Sequence, residues 1–379
     1  MPETEIRQIQ IAAPVLGEAE LQAVREVLES GWLTQGPRVA AFEERFAEMH
    51  GVRHAIAVTS CTTGLHLALH SMGIGLGDEV IVPAFTWVAT ANAVVHCGAI
   101  PVFVDVDRET FNLDPAQIAA AVTDRTRAII PVHLFGLSAA MDAIRGVIPE
   151  GLIILEDAAC AVGAVNEEPL GDAAVFSFHP RKSITTGEGG MITTNNDALA
   201  AKLRRLRDHG ASVPEEIRHR GPRPHELAEY NETGFNLRMT DLQGAVGLEQ
   251  LKKLDAFITE RARWAEWYQH ELAGLEWLRC PSEPAHGRHG WQAFVTWVDA
   301  AQAPCPRNEL MDRLHARGIA TRPGTHAVHQ LGAYRDHQAH CPIASECAAQ
   351  SMALPLHNRM TAADYERVVG ELKQASAAG

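Results

Sequence analysis

One lysine differs in its surroundings from the others in the sequence. Four of the five lysines fall within amphipathic helical patterns, where a solvated ammonium group is ordinary: Lys202, Lys252, Lys253 and Lys373. Lys182 instead follows an apolar strand and precedes a glycine-rich turn, in AAVFSFHPRKSITTGEGG. A lysine held there, beside bare backbone, leaves room for a bulky ring and suits an amine that forms a Schiff base. The alternative for this segment alone is a surface lysine in a hairpin.

A carboxylate ends another predicted strand. Asp157 closes the apolar segment GLIILEDAAC, at the carboxyl edge where α/β sheets gather their ligands. An acid opposite a pyridine nitrogen keeps the ring of pyridoxal phosphate (PLP) protonated, and the protonated ring stabilises a substrate carbanion. Asp157 therefore fits the acid that a PLP site needs, although a strand-end aspartate can also cap a helix.

Hydroxyl groups and an aromatic ring follow further strand ends. Thr62 and Thr63 lie in AIAVTSCTTGLHLAL, where a strand leads into a helix start that would offer amide and hydroxyl groups to a phosphate. Ser177 adds a hydroxyl shortly before the lysine, and Trp87 in VPAFTWVATANA offers a face for stacking on a pyridine ring. Each feature alone has an ordinary interpretation, as a capped helix or a core tryptophan. Together with the lysine and the aspartate they predict a PLP site.

The elements that must hold these residues alternate along the first half of the chain. Short apolar segments and helical patterns follow one another between about residues 54 and 195. Continuous hydrophobicity is expected of strands covered on both faces, so we predict an α/β fold with a mostly parallel sheet between helix layers. The seven predicted strands are His54–Ser60, Glu79–Phe85, Pro101–Val106, Ala128–Leu134, Leu152–Glu156, Ala174–His179 and Gly190–Thr194. The predicted helices are Glu18–Ser30, Pro37–His50, Thr62–Met72 and Asp197–His209.

The second part of the chain predicts a smaller domain. The longest helical pattern runs from Thr240 towards Leu275 and suits a bridge between two domains. We predict a large cofactor-binding domain over residues 1–250 and a small α+β domain over residues 251–379, as the chain length favours. The segment Gly210–Tyr230 has no periodicity and is expected to be an exposed loop. The predicted elements of the small domain are the strand Trp291–Val298 and the helices Asn308–Arg317 and Ala362–Ala375.

Composition narrows the classes of partner. The 33 basic and 47 acidic residues give a net charge of −14, which disfavours nucleic acid as a partner. No apolar run is long enough to span a bilayer and the N-terminus lacks a signal-peptide pattern, so we expect a cytoplasmic protein without a membrane partner. The seven scattered cysteines contain no CxxC pair and are expected to be reduced thiols.

A group of histidines prompts a rival interpretation, a metal-binding or regulatory protein. Several potential ligands lie close together in the C-terminal part: His326, His329, His337, His340 and Cys341. Zinc sites prefer tighter and more regular spacing, so we predict no metal site. A second rival is a PLP-fold protein that has lost catalysis, and the intact lysine and aspartate count against it.

The motifs around these residues resemble those of the DegT/DnrJ/StrS group of PLP-dependent sugar aminotransferases, which have fold type I. The likeness covers essentially the whole chain and includes SGWLTQGPRVAAFEERFAE, PAFTWVATANAV, PVFVDVD, PVHLFG, EDAA, SFHPRKSITTGEGG, HGAS and GFNLRMTDLQGAVGLEQL. The resemblance implies that Lys182 forms the internal aldimine with PLP and shuttles protons. It also implies that Asp157 pairs with the pyridinium nitrogen and that Trp87 stacks on the ring.

The same resemblance implies a phosphate site that two subunits share. Ser177, Thr62 and Thr63 would hold the phosphate, joined by Asn236 of GFNLRM from a second subunit. Members of the group are similar in being homodimers with active sites at the interface. A homodimer is therefore expected here.

Two cysteines depart from the pattern of the group. Glycine or alanine usually stands in place of Cys61, and glutamine, histidine or glutamate in place of Cys160, near the ring hydroxyl of the cofactor. A branch of the group that performs sugar 3-dehydration has histidine in place of the lysine, and Lys182 argues against that branch.

The resemblance implies ping-pong transamination through the Lys182 aldimine. Glutamate or glutamine would donate the amino group, and a nucleotide-linked keto-deoxysugar is the favoured acceptor, with a keto-cyclitol or another secondary-metabolite ketone as the alternative. The predicted substrate-contacting residues are Thr34 in the N-terminal segment and Arg322, His326 and His329 in the loop ATRPGTHAVHQLGAYRDH. The alternative for His326 and His329 is that they are ordinary surface histidines with no contact to the substrate.

Overall fold

A computed structural model describes residues 7–164, 171–213, 227–283, 289–337 and 339–377. The expected loop Gly210–Tyr230 lies mostly outside these residues. Twelve strands are present in the described chain: β1 His54–Val58, β2 Glu79–Pro83, β3 Phe85–Thr86, β4 Ile100–Val104, β5 Thr126–Ile129, β6 Ile153–Asp157, β7 Ala173–Ser177, β8 Gly190–Thr194, β9 Leu278–Arg279, β10 Phe294–Val298, β11 His326–Ala327 and β12 Ser351–Leu354.

The largest sheet has seven strands in the order β1-β8-β7-β6-β5-β2-β4. Strand β8 is antiparallel to both of its neighbours, β1 and β7, whereas the other pairs are parallel. The carboxyl ends of β1, β2, β6 and β7 therefore meet at one edge of the sheet. The predicted mostly parallel sheet of an α/β fold is confirmed.

Helices cover the sheet on both faces. The helices of the described chain are α1 Glu18–Ser30, α2 Pro37–Met49, α3 Cys61–Ser71, α4 Ala89–His96, α5 Pro115–Ala121, α6 Met141–Val147, α7 Asp197–Arg207, α8 Asp241–Leu251, α9 Leu254–Leu272, α10 Arg307–Ala316, α11 Pro342–Gln350 and α12 Ala362–Ala377. On one face α3 packs its buried Leu65 against the sheet, and on the other α2 packs Phe42 and Phe46 against the aromatic rings of β7 and its extension. Both faces of the sheet are thus buried, as its continuous apolar strands require.

The prediction of one long helix from Thr240 to Leu275 is wrong in one respect, because α8 and α9 are separate. The N–H of Lys253 donates to the carbonyl of Gln250, three residues back, at 3.0 Å, which tightens the last turn and ends α8. The buried side chain of Gln250 donates to the carbonyl of Val15 at 2.9 Å and to Glu20 at 2.7 Å. These bonds hold the end of α8 against the N-terminal segment.

A buried ion pair fixes the strand that leads into the predicted phosphate turn. The guanidinium of Arg207, at the end of α7, pairs with Glu43 of α2 and donates to the carbonyl of Ala57 in β1 at 2.7 Å. Glu43 accepts from the N–H of Ala57 at 2.8 Å. The pair thereby connects two helices to β1, because each partner also bonds to the same strand residue.

The C-terminal part contributes a second, antiparallel sheet, in the order β12-β10-β9. Strand β11 leaves this part and pairs with β3, which follows β2 directly, so that His326 lies opposite Thr86. A division between residues 1–250 and 251–379 stays a prediction. No described helix is both long and apolar enough to cross a membrane.

Candidate active site

A cavity of about 300 Å³ lies at the carboxyl edge of the large sheet. It contains the residues predicted to form the PLP site from four different strand ends: Thr62, Trp87, Asp157, Ser177 and Lys182. Its walls also include Ile11 and Ala12 of the N-terminal segment and Arg322 of the C-terminal part. The volume and the mixture of polar and apolar walls suit a small-molecule ligand.

Asp157 is buried at the end of β6 and accepts hydrogen bonds on both oxygens. Its Oδ2 accepts from the hydroxyl of Thr90 at 2.8 Å, and its Oδ1 accepts from the N–H of Ala159 at 3.2 Å. The thiol of Cys61 lies 3.8 Å from Oδ1. Burial, followed by the charge of Asp157, raises the pKa of the Cys61 thiol, so that it stays protonated and can donate. These donors fix the orientation of the carboxylate.

The lysine lies in the turn between β7 and β8, within the same cavity. Its N–H donates to the carbonyl of His179 at 2.8 Å, which fixes the backbone, and its Nζ lies 3.1 Å from the Sγ of Cys160. Lys182 is half-buried. Cys160, three residues beyond Asp157, therefore touches the amine directly, in addition to lining the cavity as predicted.

The start of α3 differs by one residue from the prediction, and Thr63 takes part in the cap of the helix. Ser60 is the N-cap, and its Oγ accepts from the N–H of Thr63 at 3.2 Å, while the hydroxyl of Thr63 accepts from the N–H of Ser60 at 3.0 Å. The hydroxyl of Thr63 is thus engaged in this reciprocal cap, and a contact of Thr63 with the phosphate stays a prediction. Ser60 and Thr62 line the cavity, and the first amides of α3 have no partner within the helix.

Gly190 of β8 allows this helix start to lie against the sheet. A Cβ at Gly190 would lie 2.6 Å from the carbonyl carbon of Ser60 and 2.7 Å from the nitrogen of Cys61. Both are backbone atoms, which cannot move without displacing the turn. No local sequence pattern predicts this role of Gly190, because the pairing of β8 with β1 creates the close approach.

Replacing Gly190 with alanine is expected to displace the turn at Ser60, at a cost of about 1–3 kcal/mol. We expect a lower free energy of unfolding and a higher dissociation constant for PLP, measured by urea denaturation and by absorbance titration. Gly75→Ala is the matched control, because a Cβ there meets no atom within 4 Å. Equal PLP affinity in wild type and Gly190→Ala would contradict the positioning role of this contact.

Trp87 lines the cavity and is 50% exposed in the single chain. The ring of His326 lies on it, with centroids 5.5 Å apart and planes inclined at 31°. The pairing of β11 with β3 produces this contact. His326 is exposed and supports the tryptophan, whereas its neighbour Thr325 lines the cavity and donates to the carbonyl of Thr86 at 3.0 Å.

Of the other residues that were predicted to contact the substrate, some line the cavity and some do not. Arg322 lines the cavity. His329 does not, because the short helical turn that contains it buries its ring, with Nε2 3.4 Å from the hydroxyl of Ser345. Thr34 is also outside the cavity of its own chain, where its carbonyl accepts from the N–H of Asp241 at 3.2 Å. The substrate prediction for His329 and Thr34 therefore finds no support within one chain.

Asn236 is exposed and lies outside the cavity of its own chain, in a bridge with Asp208. The contribution of Asn236 to a second subunit stays a prediction. Across the described ranges, no three His, Cys, Asp or Glu side chains come together in a way that could hold a metal ion.

The donor set of the cavity fits PLP. The amine of Lys182 suits the aldehyde and the carboxylate of Asp157 suits the pyridine nitrogen. The hydroxyls of Ser60, Thr62 and Ser177 line the same cavity, together with the start of α3. A doubly covered sheet with these groups at one edge defines a PLP-dependent enzyme of fold type I. The chain belongs to the DegT/DnrJ/EryC1/StrS aminotransferase family, whose model matches residues 14–373. The expected cofactor and enzyme class are confirmed.

Similar proteins cover nearly the whole chain. The GDP-perosamine synthase of Caulobacter vibrioides is 42% identical over an alignment of 380 positions, which covers 98% of this chain and 99% of that protein. The crystal structure of the aminotransferase TlmJ from Streptoalloteichus hindustanus is 36% identical, with a TM-score of 0.90 over 98% of this chain and 99% of that one. The structure of Spr1654 from Streptococcus pneumoniae in its PLP form is 26% identical, with a TM-score of 0.90 and the same coverage.

Proposed function

We propose that this aminotransferase transfers an amino group from glutamate or glutamine to a nucleotide-linked keto-deoxysugar. The observation that carries the proposal is the cavity in which Lys182 and Asp157 lie together with residues of the C-terminal part. The nucleotide-linked acceptor is supported by the likeness to a GDP-perosamine synthase over nearly the full length of both chains.

Two residues carry the chemistry of both half-reactions. When bound, PLP supplies the electron sink and carries the amino group between donor and acceptor. The Nζ of Lys182 removes the proton from the α-carbon of the donor in the first half-reaction, and returns a proton to the former carbonyl carbon of the sugar in the second. The carboxylate of Asp157, which Thr90 and the amide of Ala159 hold in place, would pair with the protonated pyridine nitrogen.

The remaining residues hold the cofactor. The hydroxyls of Thr62 and Ser177, joined by Ser60, bind the phosphate with the first amides of α3, because a helix start offers unpaired donors and a positive dipole end. Trp87 would stack on the ring, and His326 contacts the indole. The thiol of Cys160 lies beside the amine and lines the ring pocket.

The enzyme is proposed to act in the cytoplasm as a homodimer with shared active sites. Asn236 is exposed outside its own cavity, and the large apolar residues Leu21 and Leu28 of α1 are also exposed, as expected of a surface that a second copy covers. All seven cysteines are free thiols, which suits a reducing compartment.

Mixed dimers test the shared site. Lys182→Ala and Asn236→Ala homodimers are each defective, but a mixed dimer has one site with both substitutions and one with neither, provided that Asn236 acts across the interface. Unfolding and refolding the two variants together should then restore activity. Absence of any gain would indicate that Asn236 acts within its own subunit or not at all.

The acceptor is tested by incubating the holoenzyme with glutamate and a panel of ketones, read by mass. GDP- and TDP-linked 4-keto-6-deoxysugars, a 3-keto nucleotide sugar and a keto-cyclitol make up the panel. Amination of a nucleotide sugar alone supports the proposal. Amination of the cyclitol alone would overturn it in favour of the alternative acceptor.

A further inference from the structure

One of the two cysteines that line the cavity does not pack in the core. Six of the seven cysteines belong to the apolar clusters of the fold or pack against them: Cys61, Cys97, Cys280, Cys305, Cys341 and Cys347. Cys160 belongs to no such cluster within the described residues, is half-buried and lines the cavity together with Lys182. Core packing therefore does not account for Cys160, which leaves its contact with the lysine as its main interaction.

The contact between Cys160 and Lys182 is the shortest hydrogen bond that involves sulfur in the described chain. The Nζ of Lys182 lies 3.1 Å from the Sγ of Cys160. The sulfur atoms of Cys61, Cys97 and Cys341 lie 3.5 to 3.9 Å from their partners. In the contact with Lys182 the amine donates and the sulfur accepts. An uncharged amine that donates in this way keeps its lone pair free to take a proton.

No carboxylate pairs with Lys182 in the part of the chain that the structure describes. Three of the other lysines have such partners: Lys252 with Glu249, Lys253 with Glu20 and Lys373 with Glu271. A carboxylate favours the charged form of an amine, which has no lone pair with which to take a proton. A thiol is a weak hydrogen-bonding group without a fixed charge. A sulfur partner therefore suits an amine that acts as a base.

Backbone hydrogen bonds hold both partners of this contact. Cys160 lies in the turn after β6, where the N–H of Ala161 donates to the carbonyl of Ala158 at 2.9 Å. The N–H of Lys182 donates to the carbonyl of His179 at 2.8 Å. These two turns fix the backbone on either side of the contact, so that the contact itself restricts mainly the long side chain of Lys182.

We propose that Cys160 is a positioning residue, which holds the amine of Lys182 after the amino donor has taken the place of the lysine on the cofactor. The inference rests on the proposed role of Lys182 as the base of the donor step. That step breaks the C–H bond at the α-carbon of the donor, leaves the electron pair with the cofactor and forms an N–H bond at Nζ. The thiol neither gains nor loses a proton. It restricts the rotamers of a side chain that has large conformational freedom when it is unbound.

The donor step can be measured alone, as conversion of the PLP form to the pyridoxamine form by glutamate in a single turnover. We expect Cys160→Ala to lower its rate by about 3- to 10-fold, as the loss of one hydrogen bond does, with little change in the half-saturating glutamate concentration. Cys160→Ser should recover most of the rate, because a hydroxyl oxygen can also accept from the amine. The isotope effect of α-deuterated glutamate should be larger in Cys160→Ala than in wild type, because proton transfer then limits the rate more strongly.

Cys97→Ala is the matched control. Cys97 is also a partly buried free thiol, and its Sγ donates to the carbonyl of His66 at 3.7 Å, outside the cavity. This variant should match wild type in both rate and isotope effect. Equal losses of rate in Cys160→Ala and Cys160→Ser would indicate that the thiol only fills space, and would overturn the proposal. A change confined to the half-saturating glutamate concentration would overturn it as well.

Reconstitution of the apoprotein tests the same contact without any turnover. PLP is added to wild type, Cys160→Ala and Cys97→Ala, and mass spectrometry follows the fraction that borohydride fixes to Lys182 as a function of time. Cys160→Ala should form this bond more slowly than the other two proteins, because its amine is less ordered. Equal rates in all three would refute the positioning role of Cys160 alone. Failure of wild type to form the bond at Lys182 would instead refute the proposed function on which this inference rests.

Discussion

Lys182→Ala should lower turnover by about 10⁴-fold or more, because the variant loses both the amine that bonds to the cofactor and the base that moves the proton. The structure places the Nζ of Lys182 in the cavity, 3.1 Å from the Cys160 thiol. The variant should also lose the fraction of cofactor that borohydride fixes covalently to the protein. Steady-state rates and mass spectrometry after reduction measure the two effects.

Lys252→Ala is the control for this substitution. Lys252 lies at the end of α8, where it is exposed and pairs with Glu249. Its removal deletes one of the few lysines without touching the cavity, so activity and covalent reduction should match the wild type. Full activity in Lys182→Ala, or covalent reduction at another lysine, would refute the assignment of Lys182.

Asp157→Asn should lower turnover by about 10²- to 10³-fold, the usual loss when one fixed charge is removed from an active site. An amide cannot hold the pyridine nitrogen in its protonated form as a carboxylate does. Its NH₂ group would also face one of the donors that now bond to the carboxylate, from Thr90 or Ala159. We expect turnover to fall far more than the amount of bound PLP, because the lysine and the phosphate site are intact.

Thr90→Val separates the charge of Asp157 from its orientation. The hydroxyl of Thr90 donates to Oδ2 of Asp157 and is itself fully buried. Valine has nearly the same shape but removes this donor, so a smaller loss of turnover is expected than in Asp157→Asn. Turnover in Asp157→Asn equal to that of wild type would contradict the role of the carboxylate.

The sequence predicted those parts of the site that depend on strand ends. Asp157, Ser177 and Trp87 each follow an apolar strand, and parallel strands bring such positions to the same edge of a sheet whatever their distance along the chain. This topological rule accounts for the agreement between the predicted cavity residues and the observed ones.

The errors concern positions that depend on fine register or on contacts distant in sequence. Helix α3 begins at Cys61, one residue earlier than predicted, and Ser60 caps it together with Thr63. The bond from Thr90 to Asp157 joins residues 67 positions apart, and no local pattern indicates it. His329 and Arg322 belong to one loop, and contacts distant in sequence position them: the backbone of Arg322 pairs with Ala353, and β11 pairs with β3. Asn236 stays a prediction because its proposed partner belongs to a second subunit.

The two-residue pairing of β11 with β3 has a consequence for engineering new acceptor preferences. The same short ladder that brings Thr325 to the cavity wall also seats His326 on the outer side of Trp87. Grafting the corresponding loop from a relative would therefore alter the contact of His326 with Trp87 along with the part of the cavity wall that Thr325 forms. Chimaeras should exchange β3 and β11 as a unit, so that the imidazole and the indole that contact each other come from the same protein.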